Sequence, residues 1–172
     1  MKERIGFFGG AFNPPTKIHI ELANNLIREN QLDKVVFVPV GDYYQKTDLA
    51  SAEHRYNMLK IATEKYRNIE LNDIGLKADK KLYAVDIFKI IAEKYADKEI
   101  YFIMGSDNYK KMSNWKDYEI IKGYDYIVLE RNEEEKSSSQ IREMIKRDVT
   151  VEEYLDLEVG QYIKEKKLYK PH

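Results

Sequence analysis

Residues 5–19 read Ile5-Gly6-Phe7-Phe8-Gly9-Gly10-Ala11-Phe12-Asn13-Pro14-Pro15-Thr16-Lys17-Ile18-His19. Ile5–Phe8 is a short apolar run closed by two glycines, which predicts a strand ending at Gly9. From Thr16 to Glu29, apolar residues recur at Ile18, Leu22 and Leu26, and at Ile20, Ala23 and Ile27. Spacings of three and four predict an amphipathic helix. A strand that passes through a tight glycine turn into a helix is the opening unit of an alternating α/β fold.

The same alternation continues along the chain. Val35–Val40 is β-branched and continuously apolar, as a strand buried on both faces should be. Ser51 can cap a helix from Ala52 to Tyr66, with Glu53 in its first turn. Asn68–Asn72 reads as a weaker strand. Val85–Tyr95 reads as a helix with Val85, Phe88, Ile91, Ala92 and Tyr95 turned inward. Glu99–Met104 is a strand ended by Gly105, Trp115–Ile121 a short helix and Tyr124–Glu130 a strand. Ser139–Arg147 and roughly Val159–Lys166 are helices, and Arg131–Ser139 is one exposed loop. The expectation is a doubly wound, Rossmann-like parallel sheet with helices on both faces. Ligands of such sheets sit beyond the carboxyl ends of the strands where the strand order reverses, which directs attention to Gly9 and Gly105.

The 172 residues fit one domain, 1–172, without internal repeats. A formal net charge of −1 supplies no global basic field, so the chain is not expected to hold nucleic acid by counterion release. An anion must be held by a local cluster of donors. There is no Cys, which excludes disulfides and thiolate metal sites and fits a reducing cytoplasm. No stretch approaches a membrane span. The three histidines, His19, His54 and His172, lie far apart, so no metal site is expected.

The turn itself has chemistry. Two glycines remove Cβ atoms and let a phosphate approach the backbone of Gly9, Gly10, Ala11 and Phe12. Pro14 and Pro15 fix the entry to the helix where no N–H is needed. The helix is expected to open with free N–H groups and a partial positive charge. Thr16 and His19, three apart, share one face of its first turn. Taken alone, the segment is equally a plain strand-to-helix turn with a surface histidine.

Gly9–His19 resembles the H/T-x-G-H signature of the nucleotidyltransferase superfamily. Further segments follow in order: Ala50–Arg55, Tyr101–Asp107, Trp115-Lys116, Ser137–Arg142 and Tyr162–Tyr169. Together they resemble bacterial nicotinate-mononucleotide adenylyltransferase over nearly the whole chain. Thr16 stands where that family usually has His, Ile18 where it usually has Gly, and Ala84 where a Thr is expected. The first two changes resemble the nicotinamide-mononucleotide enzymes.

The resemblance implies a nucleotidyltransferase-type fold and adenylyl transfer from ATP to nicotinate mononucleotide, giving deamido-NAD and pyrophosphate in NAD biosynthesis. Alternatives are nicotinamide mononucleotide or another small phosphate as acceptor, and a non-catalytic nucleotide-binding module. It implies a catalytic set of His19, Thr16, Lys46 and Arg142. ATP would be held by Gly9, Gly10, Ala11, Phe12, Gly105, Asp107, Arg131, Ser138 and Ser139. The mononucleotide would meet Asn13, Trp115 and the backbone N–H groups of Tyr83 and Ala84. Magnesium would ride on the ATP phosphates with few protein ligands. His54 and Arg55 are expected to serve the structure, and self-association into a homo-oligomer is compatible with the sequence.

Overall fold

The computed structural model describes residues 1–41, 48–77, 80–130, 132 and 135–170. Lys46, Arg131 and His172 lie outside the described residues. Five strands form one sheet: β1 (Arg4–Gly10), β2 (Lys34–Pro39), β3 (Ile69–Leu71), β4 (Glu99–Gly105) and β5 (Tyr126–Leu129). Their order is β3-β2-β1-β4-β5 and every pairing is parallel. The order reverses between β1 and β4, with Phe8 opposite Ile103, so the crevice opens beyond Gly10 and Gly105.

Alternation along each strand sends side chains to two cores. Phe8, Val35, Phe37 and Ile103 meet one set of helices: α1 (Lys17–Arg28), α2 (Ala52–Thr63), α6 (Ser138–Lys146) and α7 (Leu157–Lys166). Ile5, Phe7, Val36, Val38 and Phe102 meet α3 (Ala84–Lys94) on the other face. Met104, Met112, Val85 and Ile121 extend that second core beneath α5 (Tyr118–Ile121). Gly6 lies in a tightly packed place where a side chain would displace its neighbours. A Cβ there would lie 2.5 Å from Cδ1 of Leu32 and 2.6 Å from Cδ1 of Ile103.

The expected α/β order is met, with two corrections. Trp115 is not helical. It ends a 3-10 turn, Met112–Asn114, that follows a helix α4 (Ser106–Lys111), and its own backbone is extended. The polar string Ser106–Asn114 carries no apolar period from which a helix could be read. In α3 the buried residues are Val85, Ile87 and Ile91, so Ile87 joins the inward face; Phe88 and Tyr95 pack against the core while partly covered, and Ala92 is partly covered. Among the described residues no helix is long and apolar enough to cross a membrane.

Candidate functional site

The turn after β1 is held from four distant parts of the chain. Arg55, fully buried, donates through Nε to the Ala50 carbonyl at 2.8 Å and through Nη1 to those of Ala11 and Val40 at 3.1 and 2.6 Å. Arg142 Nη1 donates to the Asn13 carbonyl and Ser138 Oγ to the Pro14 carbonyl, both at 2.8 Å. The buried side chain of Asn13 donates to the Asp48 carbonyl at 3.0 Å. Its Oδ1 accepts from the Ala50 N–H at 3.1 Å and the Tyr169 hydroxyl at 2.6 Å. Burial pushes the Tyr169 hydroxyl above its ordinary pKa, so it stays a donor. Asn13, expected at the substrate, therefore faces the fold with its amide engaged. Arg55 is structural, as expected.

Phe12 takes a left-handed conformation (φ 49°), which a bulky residue adopts only under tertiary constraint. Its ring is buried and meets His19 edge-on, with centroids 5.2 Å apart. Phe8 meets the same imidazole at 6.0 Å. The Thr16 N–H donates to His19 Nδ1 at 2.9 Å, and Thr16 Oγ1 lies 3.2 Å from the same nitrogen. A backbone N–H can only donate, so Nδ1 accepts and the ring proton belongs to Nε2. Burial lowers the His19 pKa to about 4, leaving a neutral ring at physiological pH. Nε2 has no partner among the described residues. The His19 side chain is only partly covered.

Two expectations change at this point. The opening of α1 is not a row of free donors, because the Thr16 N–H is spent on His19 and the Lys17 N–H on the Tyr154 carbonyl at 2.9 Å. Thr16 itself is buried with its hydroxyl turned to His19, so it orients the imidazole. Likewise the Tyr83 N–H is occupied by the Asp86 carboxylate at 2.9 Å and is not available to a ligand. Asp86 caps α3 from within its first turn, a role the sequence reading did not assign.

A cleft of about 210 Å³ lies at the carboxyl ends of β1, β2 and β4. Gly9, Gly10 and Ala11 line it from one side and Ala84 and Trp115 from another, whereas Phe12, Thr16 and His19 are not among its lining residues. Asn108 also lines it and was not foreseen. Added Cβ atoms at Gly9 and Gly105 would meet nothing closer than 3.9 and 4.0 Å, so neither glycine is demanded by packing. Asp107 is exposed in the first turn of α4, and Ser139 is exposed in that of α6 beside Ser138. Among the described residues no group of three His, Asp or Glu could hold a metal ion.

A family model described as cytidylyltransferase-like matches residues 7–144. A Maridesulfovibrio salexigens protein is 39% identical over 120 residues, covering 69% of this chain and 56% of its own length. One from Acholeplasma laidlawii is 32% identical over 94% of this chain and 95% of its own. One from Caldicellulosiruptor bescii is 32% identical over 97% and 99%. All three carry the name "Probable nicotinate-nucleotide adenylyltransferase". Among solved structures, a Plasmodium falciparum nicotinic acid mononucleotide adenylyltransferase complexed with NaAD superposes with a TM-score of 0.78 at 19% identity, covering 97% of each chain. That likeness establishes a common fold.

Proposed function

The chain belongs to the cytidylyltransferase-like family and to its nicotinate-nucleotide adenylyltransferases; we propose that it transfers the adenylyl group of ATP to nicotinate mononucleotide, releasing pyrophosphate and deamido-NAD. The observation that carries the catalytic part of this reading is His19, fixed through Nδ1, with its Nε2–H left without a hydrogen-bond partner among the described residues.

In the reaction, a phosphate oxygen of the mononucleotide attacks the α-phosphorus of ATP. The bond from that phosphorus to the bridging oxygen breaks, and pyrophosphate leaves with the electron pair. The attacking monoester is largely dianionic at neutral pH, so no base is required. Catalysis reduces to positioning and charge stabilisation. His19 Nε2–H donates to an α-phosphate oxygen as charge grows there, and a neutral donor does this without being drawn into an ion pair in the ground state.

Thr16 is a positioning residue behind His19. Arg142 and Ser138, which already hold the turn, stand with Ser139 at the opening of α6. There they would meet the outer phosphates together with the backbone of Gly9–Phe12. Gly105 and Asp107 would face the ribose. Lys46 and Arg131 keep the roles their sequence positions suggest, as phosphate and nucleotide contacts. Trp115 and Ala84 line the cleft that would take the pyridine ring, where indole is a favourable surface for a flat cation. Magnesium enters on the ATP phosphates as part of the substrate. A cytoplasmic setting fits this use of ATP.

The test is purified protein with magnesium and four substrate sets in parallel: ATP with nicotinate mononucleotide, ATP with nicotinamide mononucleotide, ATP with phosphopantetheine, and CTP with a polyol phosphate. Dinucleotide from the nicotinate set is the expected result. ATP binding without pyrophosphate release in any set would instead describe a non-catalytic nucleotide-binding module.

A further inference from the structure

We propose that Gly75 is a positioning residue that holds the β2 wall of the mononucleotide cleft; this deepens the function given above and rests on it. Gly75 is buried and is not among the residues lining the cleft. A Cβ at this position would lie 2.6 Å from the Pro39 carbonyl oxygen, with the Pro39 carbonyl carbon and Val40 Cα each 3.6 Å away. That oxygen belongs to the main chain and has no rotamer by which to yield, so a side chain here forces a backbone shift. The bare Cα of glycine lets the turn after β3 approach the end of β2 this closely.

Both sides of the contact are pinned. The Asn72 N–H donates to the Phe37 carbonyl at 2.9 Å, continuing the β2–β3 pairing by one residue. The Ile74 N–H donates to Asn72 Oδ1 at 2.9 Å and the Leu76 N–H to the Asp73 carbonyl at 2.8 Å. The Ile74 side chain packs against the second core, so the turn cannot back away without uncovering it. On the far side, the Val40 N–H donates to the Gly10 carbonyl at 3.0 Å. The Val40 carbonyl accepts from Arg55 Nη1 at 2.6 Å. Pro39 and Val40 are thus gripped between the turn at Gly75 and the glycine turn after β1.

Val38 and Val40 line the cleft from β2, and Gly10 lines it from β1. A methyl at residue 75 meets no ligand, but its push passes through Pro39 to Val40 and toward Gly10. The wall against which the mononucleotide lies is displaced. His19 stands on α1, outside that lining, and keeps its bond to the Thr16 N–H. The cost therefore falls on holding the mononucleotide and spares the transfer step.

Trp115 is the only Trp and lines the cleft, so quenching of its fluorescence reports mononucleotide binding. G75A should weaken the binding of nicotinate mononucleotide and raise its KM by on the order of ten-fold, short of the roughly 10²-fold that a full ångström of misplacement costs. The KM for ATP and kcat should change little. N72A removes the acceptor of the Ile74 N–H and loosens the same turn; it should move the same KM in the same direction by less. V159A opens a cavity in the buried face of α7, away from the cleft lining, and should lower the melting temperature while leaving that KM unchanged. An unchanged KM and quenching curve in G75A, or in N72A where G75A does not fold, overturns the role of Gly75 and leaves the reaction standing. So does an equal rise in KM in V159A. A wild-type chain that shows neither quenching by the mononucleotide nor pyrophosphate release from ATP overturns the function itself.

Discussion

The backbone N–H of Thr16 donates to Nδ1 of His19 at 2.9 Å, closing the first turn of α1 on itself. One bond thereby caps the helix, orients the imidazole and fixes its tautomer. It also leaves the Thr16 N–H unavailable to any ligand at the helix start.

Replacing His19 with Ala is expected to lower kcat by on the order of 10²-fold or more, the usual loss for one transition-state donor. Losing the acceptor for the Thr16 N–H should also cost about 1 kcal/mol of stability. Steady-state kinetics with a urea denaturation curve separate the two. Near-normal kcat in a destabilised variant would leave His19 as a cap only.

The pH dependence follows from the His19 pKa, lowered from 6.5 to about 4 by burial. Between those values the unfolded chain binds the proton and the folded chain does not. The His19 contribution to stability is therefore present above pH 6.5 and is lost as pH falls toward about 4. Urea unfolding across this range should show a slope that H19N reduces. The acid limb of kcat/KM should fall near pH 6, about where a phosphate monoester dianion takes up a proton to become the monoanion, and should belong to the substrate. A limb that shifts with the His19 variant and not with the acceptor phosphate would contradict this.

Two glycines of β1 should behave oppositely. Gly9→Ala places a methyl in no more than ordinary contact with the Val38 carbonyl and should leave the melting temperature within a few degrees of the wild type while raising KM for the nucleotide substrates. Gly6→Ala drives a methyl between Leu32 and Ile103 and should cost about 1–3 kcal/mol by overpacking. Thermal melts beside initial rates distinguish the pair. Full activity in Gly9→Ala would remove the reason for a bare backbone there.

Asn13→Ala strands the Ala50 N–H, the Asp48 carbonyl and the Tyr169 hydroxyl. A loss of about 1–2 kcal/mol is expected, because one buried and two part-buried hydrogen bonds are left unmade. Tyr169→Phe should cost about 1 kcal/mol, since Ala50 still satisfies Oδ1. Equal small effects from both variants would mean that the turn does not depend on this hub.

Much of this was legible from local pattern. All five strands, the glycine turn and the helices α1, α2, α3, α6 and α7 follow from apolar period and caps, because each is written in consecutive residues. The role of Asn13 was not legible. Its partners Asp48, Ala50 and Tyr169 lie 35, 37 and 156 residues away, and a polar residue in a loop looks the same whether it meets a ligand or the fold. The Tyr154 carbonyl that covers the Lys17 N–H is hidden for the same reason. Helix α4 escaped because Ser106–Asn114 is nearly all polar and covers the sheet end with little more than Ser106 and Met112. Asp86 could have been found, since an acidic residue three after Tyr83 is the spacing of a capping box.

The most direct test of adenylyl transfer follows the α-phosphorus. ATP labelled at that position, incubated with magnesium, nicotinate mononucleotide and the purified chain, should place the label in deamido-NAD, one equivalent for each pyrophosphate released. Label recovered only in ATP, or in AMP formed by hydrolysis, would contradict the account.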